Sequence, residues 1–443
     1  MGGGIKIQVK EEVMVRPPTA TGSGGTTLWL SNLDTLFPVK LYVDCTFFYS
    51  PNTFNHSSDL LKATLAHALA EFYPLAGRLK LDHELSGRIE IECNGEGALF
   101  IEATANGPLI DLGADLGPRP DLTFAPVVDY SKETLVLPVF MVQVTRFTCG
   151  GVCLGTTMNH HLCDGFSAIQ FLDAWSNIAC GADITVPPFH DRRAVLSARS
   201  PPQPEFDHVE YQPPPTLMNT PQHHNNNIDP SSKTISHKIF RLTPNQVKAL
   251  KARCKSSSSS NINYTSYEVL AGHAWRCVSM ARRLPKNQPT KLHMAVNGRE
   301  RLLPRLPRGY FGNVVFHATP VALAGNLQEN PVEFSVRKVH EALVRMDDRY
   351  MRSAIDYLEV QRQKGGMLES VFNFESPNLA VIRWARHDDF GGFGKPVYGG
   401  MGRIPGEGMS AVLPRMEDGS LSYVIYLPEK DMAIFEKLFY DNI

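Results

Sequence analysis

The stretch VCLGTTMNHHLCDGFSAIQFLDAW, residues 152–175, changes its periodicity halfway along. Its first third closes a hairpin read over LPVFMVQVTRFTCGGVCLGTTMNHH, residues 137–161. Phe140, Val142 and Val144 alternate there, and Gly150 with Gly151 supplies the turn. Its second half, continued to Gly181, is a helix pattern. Asp164 stands at the N-cap, Ala168, Leu172, Trp175 and Ala179 share one face, and Gly181 follows the end. His160 and His161 therefore sit where a strand stops and a helix begins. A rigid strand at such a junction can aim a side chain into a cleft.

Either histidine can meet the aspartate, at a spacing of four for His160 and three for His161. Zinc asks for three or four ligands, and HHxxD offers at most three on a strand end, without the single helical face of HExxH. The pair His223 and His224 lies elsewhere, in a polar segment. The spacing therefore argues against a metal. Three readings stay open: a buried histidine bonded to a helix-capping aspartate, a neutral imidazole acting as general base beside a carboxylate that holds its tautomer or its loop, and a Cys163 thiolate activated by His160.

A chain of 443 residues is too long for one ordinary core, so two domains are expected. Hydrophobic residues make up 43% and charged residues 20%, with a net charge of −1. That balance gives no broad attraction for nucleic acid or anionic membrane, and a small-molecule partner is expected instead. The N-terminus lacks a signal-peptide core, Lys6 stands where a myristoylation signal wants Ser or Thr, and no 18-residue apolar run offers membrane insertion. Eight cysteines without a CxxC pair read as reduced thiols, hence a cytoplasmic protein, and a monomer is expected.

Outward from the motif, IKIQVKEEVMV and LYVDCTFFY read as strands, and SSDLLKATLAHALAEFYPLAGRLK, residues 57–80, as a helix capped by Ser57 or Ser58 and stopped by Pro74. RIEIECN and ALFIEATA are strands flanking NGEG. Proline- and asparagine-rich sequence over 186–235 reads as an extended crossover linker between domains at 1–185 and 236–443. Beyond it come the strand HKIFRLT, a helix from Pro244, the low-complexity loop KSSSSSNIN, and the helix YTSYEVLAGHAWRCVSMARRL. Strands then read over KLHMAVNGR, GNVVFHATPVAL, NLAVIRW, SAVLPR and LSYVIYL, with one long helix over 332–364. Short strands mixed with helices in both halves make the fold class α/β.

HHLCDG, together with YEVLAGHAWR (267–276), VNGRERL (296–302), GYFGNVV (309–315) and DFGGFGKPVY (389–398), resembles the plant BAHD acyltransferases across the whole chain. FYPLAGRLK, RIEIECNGEGALF and PPQPEFDHVEYQPPP bring it nearest to the hydroxycinnamoyltransferase branch. The resemblance implies two chloramphenicol-acetyltransferase-like domains joined by the linker, with the active site between them. It implies direct transfer from an acyl-CoA thioester, p-coumaroyl-CoA or caffeoyl-CoA, to an acceptor hydroxyl or amine, with no permanently bound cofactor and no metal. His160 becomes the general base, Asp164 holds the loop and reaches an arginine of the second half, His161 becomes packing and Cys163 an incidental thiol. Ser266 and Arg299, in family motifs, and Lys255, beside the serine loop, become candidates for the phosphates of CoA.

Two departures bear on specificity. In the family's DFGWG signature Phe393 replaces the tryptophan, and Phe has no ring N–H to donate. Shikimate- and quinate-using members place an arginine eight residues before a PNL-like segment. Here that segment is 377–379, and the count falls on Glu369. Their threonine just after PNL matches Ile382, and the Thr, Ser and Tyr of their early strand match Val43, Cys45 and Phe47. A neutral alcohol, or an amine facing Glu369 or Asp44, is therefore expected as acceptor, with shikimate or quinate as the alternative. From other classes come a catalytically silent small-molecule-binding relative and a hydrolase. The absence of a GxSxG elbow counts against a serine hydrolase.

Overall fold

The computed structural model describes residues 4–18, 26–82, 87–113, 116–118, 122–218, 234–256, 262–365, 373–384, 390–403, 406–413, 418–441 and 443. Its contacts divide the chain into two units. The first is Met1–Ala198 with Pro304–Val314 and His387–Ile404, and the second is Arg199–Leu303 with Val315–Arg386 and Pro405–Ile443. Two segments from late in the chain thus belong to the first unit, an arrangement that continuous boundaries cannot express.

The first unit is built on a six-stranded sheet in the order Ile7–Val15, Ala98–Ala105, Phe140–Arg146, Val152–Asn159, Tyr42–Tyr49, Tyr398–Met401. Ala98–Ala105 runs parallel to Phe140–Arg146, and the other neighbours are antiparallel. A small sheet of Thr26–Leu28, Arg88–Cys93 and Arg78–Asp82 accompanies it. Helices Ser58–Glu71 and Gly165–Ala179 bury Leu61, Leu65, Leu69, Phe171, Leu172 and Trp175 in one cluster with Phe47, Phe100, Phe140, Val142 and Val144. Both helices are capped from the sequence: Ser57 accepts the N–H of Leu60 and Asp164 that of Ser167. Such a cap contributes about 1 kcal/mol. The first helix stops before the residues RLK, because Pro74 sits in a tight 3₁₀ turn over Tyr73–Ala76 and Arg78 opens a strand.

The second unit carries a seven-stranded mixed sheet along the path Val315–Ala318, Pro289–Asn297, Leu379–Arg383, Met409–Val412, Leu421–Pro428, Ile235–Leu242, with Val321–Leu323 also paired to Pro289–Asn297. Its helix Ser266–Ala281 starts with a capping box of Thr265 and Glu268. The single helix expected over 332–364 is two, Val332–Val344 and Asp348–Gln363. Asp347 breaks the run: its carboxylate accepts the N–H of Tyr350 and starts a new helix. The strand Tyr398–Met401 and the helices Ala324–Glu329 and Glu429–Asp441 add to the expected elements. Two glycines mask the first of these as a strand in the sequence. Most of the serine loop, 257–261, and residues 219–233 of the linker lie outside the described residues. Among the described residues no helix is long and apolar enough to cross a membrane.

Candidate active site

Val152–Asn159 delivers His160 at its end, and Asp164 starts the following helix. The His160 N–H donates to Leu41 O at 2.9 Å, which ties the histidine to the chain entering Tyr42–Tyr49. Its carbonyl accepts from Asn313 Nδ2 at 2.9 Å. The residue is half-buried, and its imidazole stacks on Phe37 at 3.8 Å between centroids and 28° between planes. Burial pushes its pKa below the ordinary imidazole value. Its own backbone, Asp164, Asn313 and Asp34 recover only part of that. A neutral ring on a backbone held from both sides can accept a proton.

Asp164 turns its two oxygens to backbone donors, Oδ1 to Ser167 N at 3.1 Å and Oδ2 to Val314 N at 2.9 Å. His161 is buried and pairs Nε2 with Phe37 O at 2.9 Å, and burial lowers its pKa to about 4. Cys163 is buried in the apolar cluster with Sγ 4.0 Å from Met158 Sδ.

Beneath this turn lies a buried group that belongs to none of the sequence motifs' candidate residues. Asp34 is fully buried and pairs with Arg192, also buried, at 3.0 Å. Arg192 donates to Leu162 O at 2.6 Å and to His161 O at 3.4 Å. Gly312 leaves room for the guanidinium, since a Cβ there would stand 2.9 Å from Arg192 Nε. A charged residue inside the apolar run LSNLDTLF was the available signal for Asp34. Asn313 lay within GYFGNVV, a motif read only as a family mark.

Tyr42–Tyr49 presents Val43 and Cys45, both half-buried, on one face and Asp44 on the other. Val43 lies opposite Met158. Phe47 is in the core, edge-on to Phe390 at 4.9 Å. Asp44 already has a cation partner: its buried side chain is ion-paired with Arg403. Phe393 is also core, edge-on to Trp175 at 5.2 Å, and replacing the neighbouring Gly392 with a Cβ-bearing residue would put that atom 2.1 Å from Ser176 O. The altered signature is thus packed into the first unit by ring contacts and a close approach, with no indole donor needed. In the second unit, half-buried Ser266 opens its helix, Arg299 is half-buried with its N–H on Asn297 Oδ1 at 3.1 Å, Lys255 is exposed, and Ile382 is half-buried on Leu379–Arg383. Glu369 lies outside the described residues.

A family model described as the Transferase family matches residues 5–442. Shikimate O-hydroxycinnamoyltransferase of Nicotiana tabacum is 46% identical over 446 residues, covering 99% of this chain and 100% of that protein. Rosmarinate synthase of Plectranthus scutellarioides is 44% identical over 447 residues, again covering 99% and 100%. Among solved structures, vinorine synthase superposes with a TM-score of 0.71 over 97% of this chain and 96% of its own, at 19% identity. The chain belongs to this transferase family, the BAHD acyltransferases, with two chloramphenicol-acetyltransferase-like α/β domains. It is an acyltransferase that moves an acyl group from acyl-CoA to a small-molecule acceptor.

Proposed function

We propose that the protein transfers a hydroxycinnamoyl group, p-coumaroyl or caffeoyl, from its CoA thioester directly to an acceptor hydroxyl or amine. Hydroxycinnamoyl-transferring relatives at 46% and 42% identity over nearly the full chain support the donor class. The observation that carries the chemistry is His160: neutral, half-buried, and fixed at N–H and carbonyl. It takes the acceptor proton as the oxygen or nitrogen attacks the thioester, and the thiolate of CoA leaves. Asp164 holds the turn. Ser266, Arg299 and Lys255 are assigned to CoA, and the protein acts as a cytoplasmic monomer with 186–235 as its crossover.

The acceptor is a neutral alcohol or an amine. Val43 and Cys45, the half-buried positions of the early strand, carry no hydroxyl, and the count to Glu369 replaces a cation with an anion. A carboxylate acceptor would forgo a charge-assisted bond of about 1.5–3 kcal/mol. The test is kcat/KM with p-coumaroyl-CoA and shikimate, quinate, tyramine, spermidine and a phenolic alcohol side by side, scoring free thiol and conjugate. Tyramine, spermidine or the phenol is expected to lead. Shikimate or quinate ahead by more than about tenfold, roughly 1.4 kcal/mol, overturns the acceptor assignment. Thiol without conjugate means a hydrolase, and neither product means a silent relative.

A further inference from the structure

One short segment touches the turn of residues 160–162 from two directions. Asp34 receives Ser31 N at 2.7 Å and Ser31 Oγ at 2.6 Å on Oδ2. On Oδ1 it receives Asn313 N at 2.8 Å, Asn313 Nδ2 at 3.0 Å and Arg192 at 3.0 Å. Two of those donors reach further. Asn313 Nδ2 also holds the carbonyl of His160, and Arg192 holds those of His161 and Leu162. Three consecutive carbonyls are so tied, through two side chains, to a single buried anion. Three residues after Asp34, Phe37 supplies the face on which the His160 ring stacks and the oxygen that Nε2 of His161 engages.

A buried ion pair is a poor device for stability. Taking both charges out of water is costly, and apolar replacements of such pairs are often at least as stable. It is a good device for geometry, because a saturated carboxylate with a guanidinium fork permits few arrangements. Carbonyls between a strand and a helix have no ladder partner of their own. Here their donors fix the backbone of the residue whose ring does the chemistry.

We propose that Asp34 is a positioning residue for His160, acting through Asn313 and Arg192; this rests on His160 being the base. Asp34 sets the pose of the imidazole and touches neither substrate.

The experiment compares purified full-length Asp34→Asn, Arg192→Lys, His160→Ala and Asp356→Asn with the unaltered protein, using p-coumaroyl-CoA and its best acceptor. Thermal unfolding is measured alongside kcat and both KM values. Asp34→Asn is expected to lower kcat by about 10²-fold, the size of effect that follows a misplacement of about 1 Å. Its KM values are expected to stay within about threefold. Arg192→Lys keeps a cation on Asp34 but loses the fork, so kcat falls by about tenfold with the same KM values. Asp356 of the second unit is buried and accepts from Arg199 Nε and Gln203 N, so Asp356→Asn lowers the unfolding temperature and leaves kcat alone. If Asp34→Asn does not fold, Arg192→Lys decides. A folded Asp34→Asn or Arg192→Lys with kcat within about threefold of the unaltered enzyme, or with its loss confined to KM, overturns the proposal. The His160→Ala arm separates the two ideas. Full kcat there removes the base itself and the positioning with it, whereas a collapse there beside an intact Asp34→Asn removes the positioning alone.

Discussion

Each unit buries a carboxylate among donors, yet the two hubs hold different things. In the first, Asp34 lies under the turn that carries His160. In the second, Asp356 accepts Arg199 N at 2.8 Å, Arg199 Nε at 2.6 Å and Gln203 N at 2.8 Å, and so fastens linker backbone to the helix Asp348–Gln363. One turn before Asp356, Ser353 Oγ meets His208 Nε2 at 2.8 Å, and His208 Nδ1 meets Glu210 Oε1 at 2.8 Å. Nucleophile, base and acid stand in the order of a hydrolytic triad. Ser353 and His208 are nevertheless both 0% exposed, and the hydroxyl oxygen already accepts the N–H groups of Glu205 and Phe206. Reactive groups at reactive distances are not a site when no substrate atom can approach and the oxygen is already engaged. His160, half-buried as a residue where His208 is wholly enclosed, is the contrast.

The sharpest way to break that contrast is to remove each imidazole. His160→Ala is expected to lower kcat by roughly 10²–10⁴-fold. His208→Ala is expected to change only the folded fraction, and His161→Ala to cost far less than His160→Ala. Equal losses of turnover per folded molecule at 160 and 208, or at 160 and 161, would undo the distinction.

Acid probes both units together. His161 in the first and His273 in the second are neutral in the fold, each with a pKa lowered by burial to about 4. Unfolding returns them to about 6.5, so between those values the unfolded chain binds more protons. Their share of stability is whole above about pH 6.5 and falls by roughly 3 kcal/mol each as the pH drops toward 4. Urea unfolding at pH 7, 6 and 5 reads this, and a flat midpoint across that window would contradict it.

Asp356→Asn sharpens the comparison from the side of stability. It is expected to cost about 1–3 kcal/mol, the penalty for weakening a buried charged acceptor, with kcat unchanged. A fall in kcat at equal folded fraction would give the second hub a part in turnover. The smallest effect is expected at Cys163→Ala: about 1 kcal/mol of stability and most of the activity retained. Acyl label trapped on Cys163 in a quenched reaction would restore the thiolate reading.

The sequence by itself determined what is local. The hairpin, the capped helix after it and the junction holding His160 were legible because period-two alternation, a 3.6-residue stripe and a capping carboxylate act within a few residues. The ordered motifs gave the family in the same way. Tertiary structure decided what depends on distant partners. Asp34, Arg192 and Asn313 meet across separations as large as 279 residues, and nothing beside any of them announces the others. Asp44 looked like an anion open to an amine until Arg403 arrived beside it from the far end of the chain. Phe47 and Phe393, candidates by count, were taken by the core. Which of two buried carboxylates lies under a chemically capable turn is likewise a matter of packing. A side chain's chemistry is intrinsic, but its access, its charge partner and the backbone it steadies belong to whatever the fold brings against it.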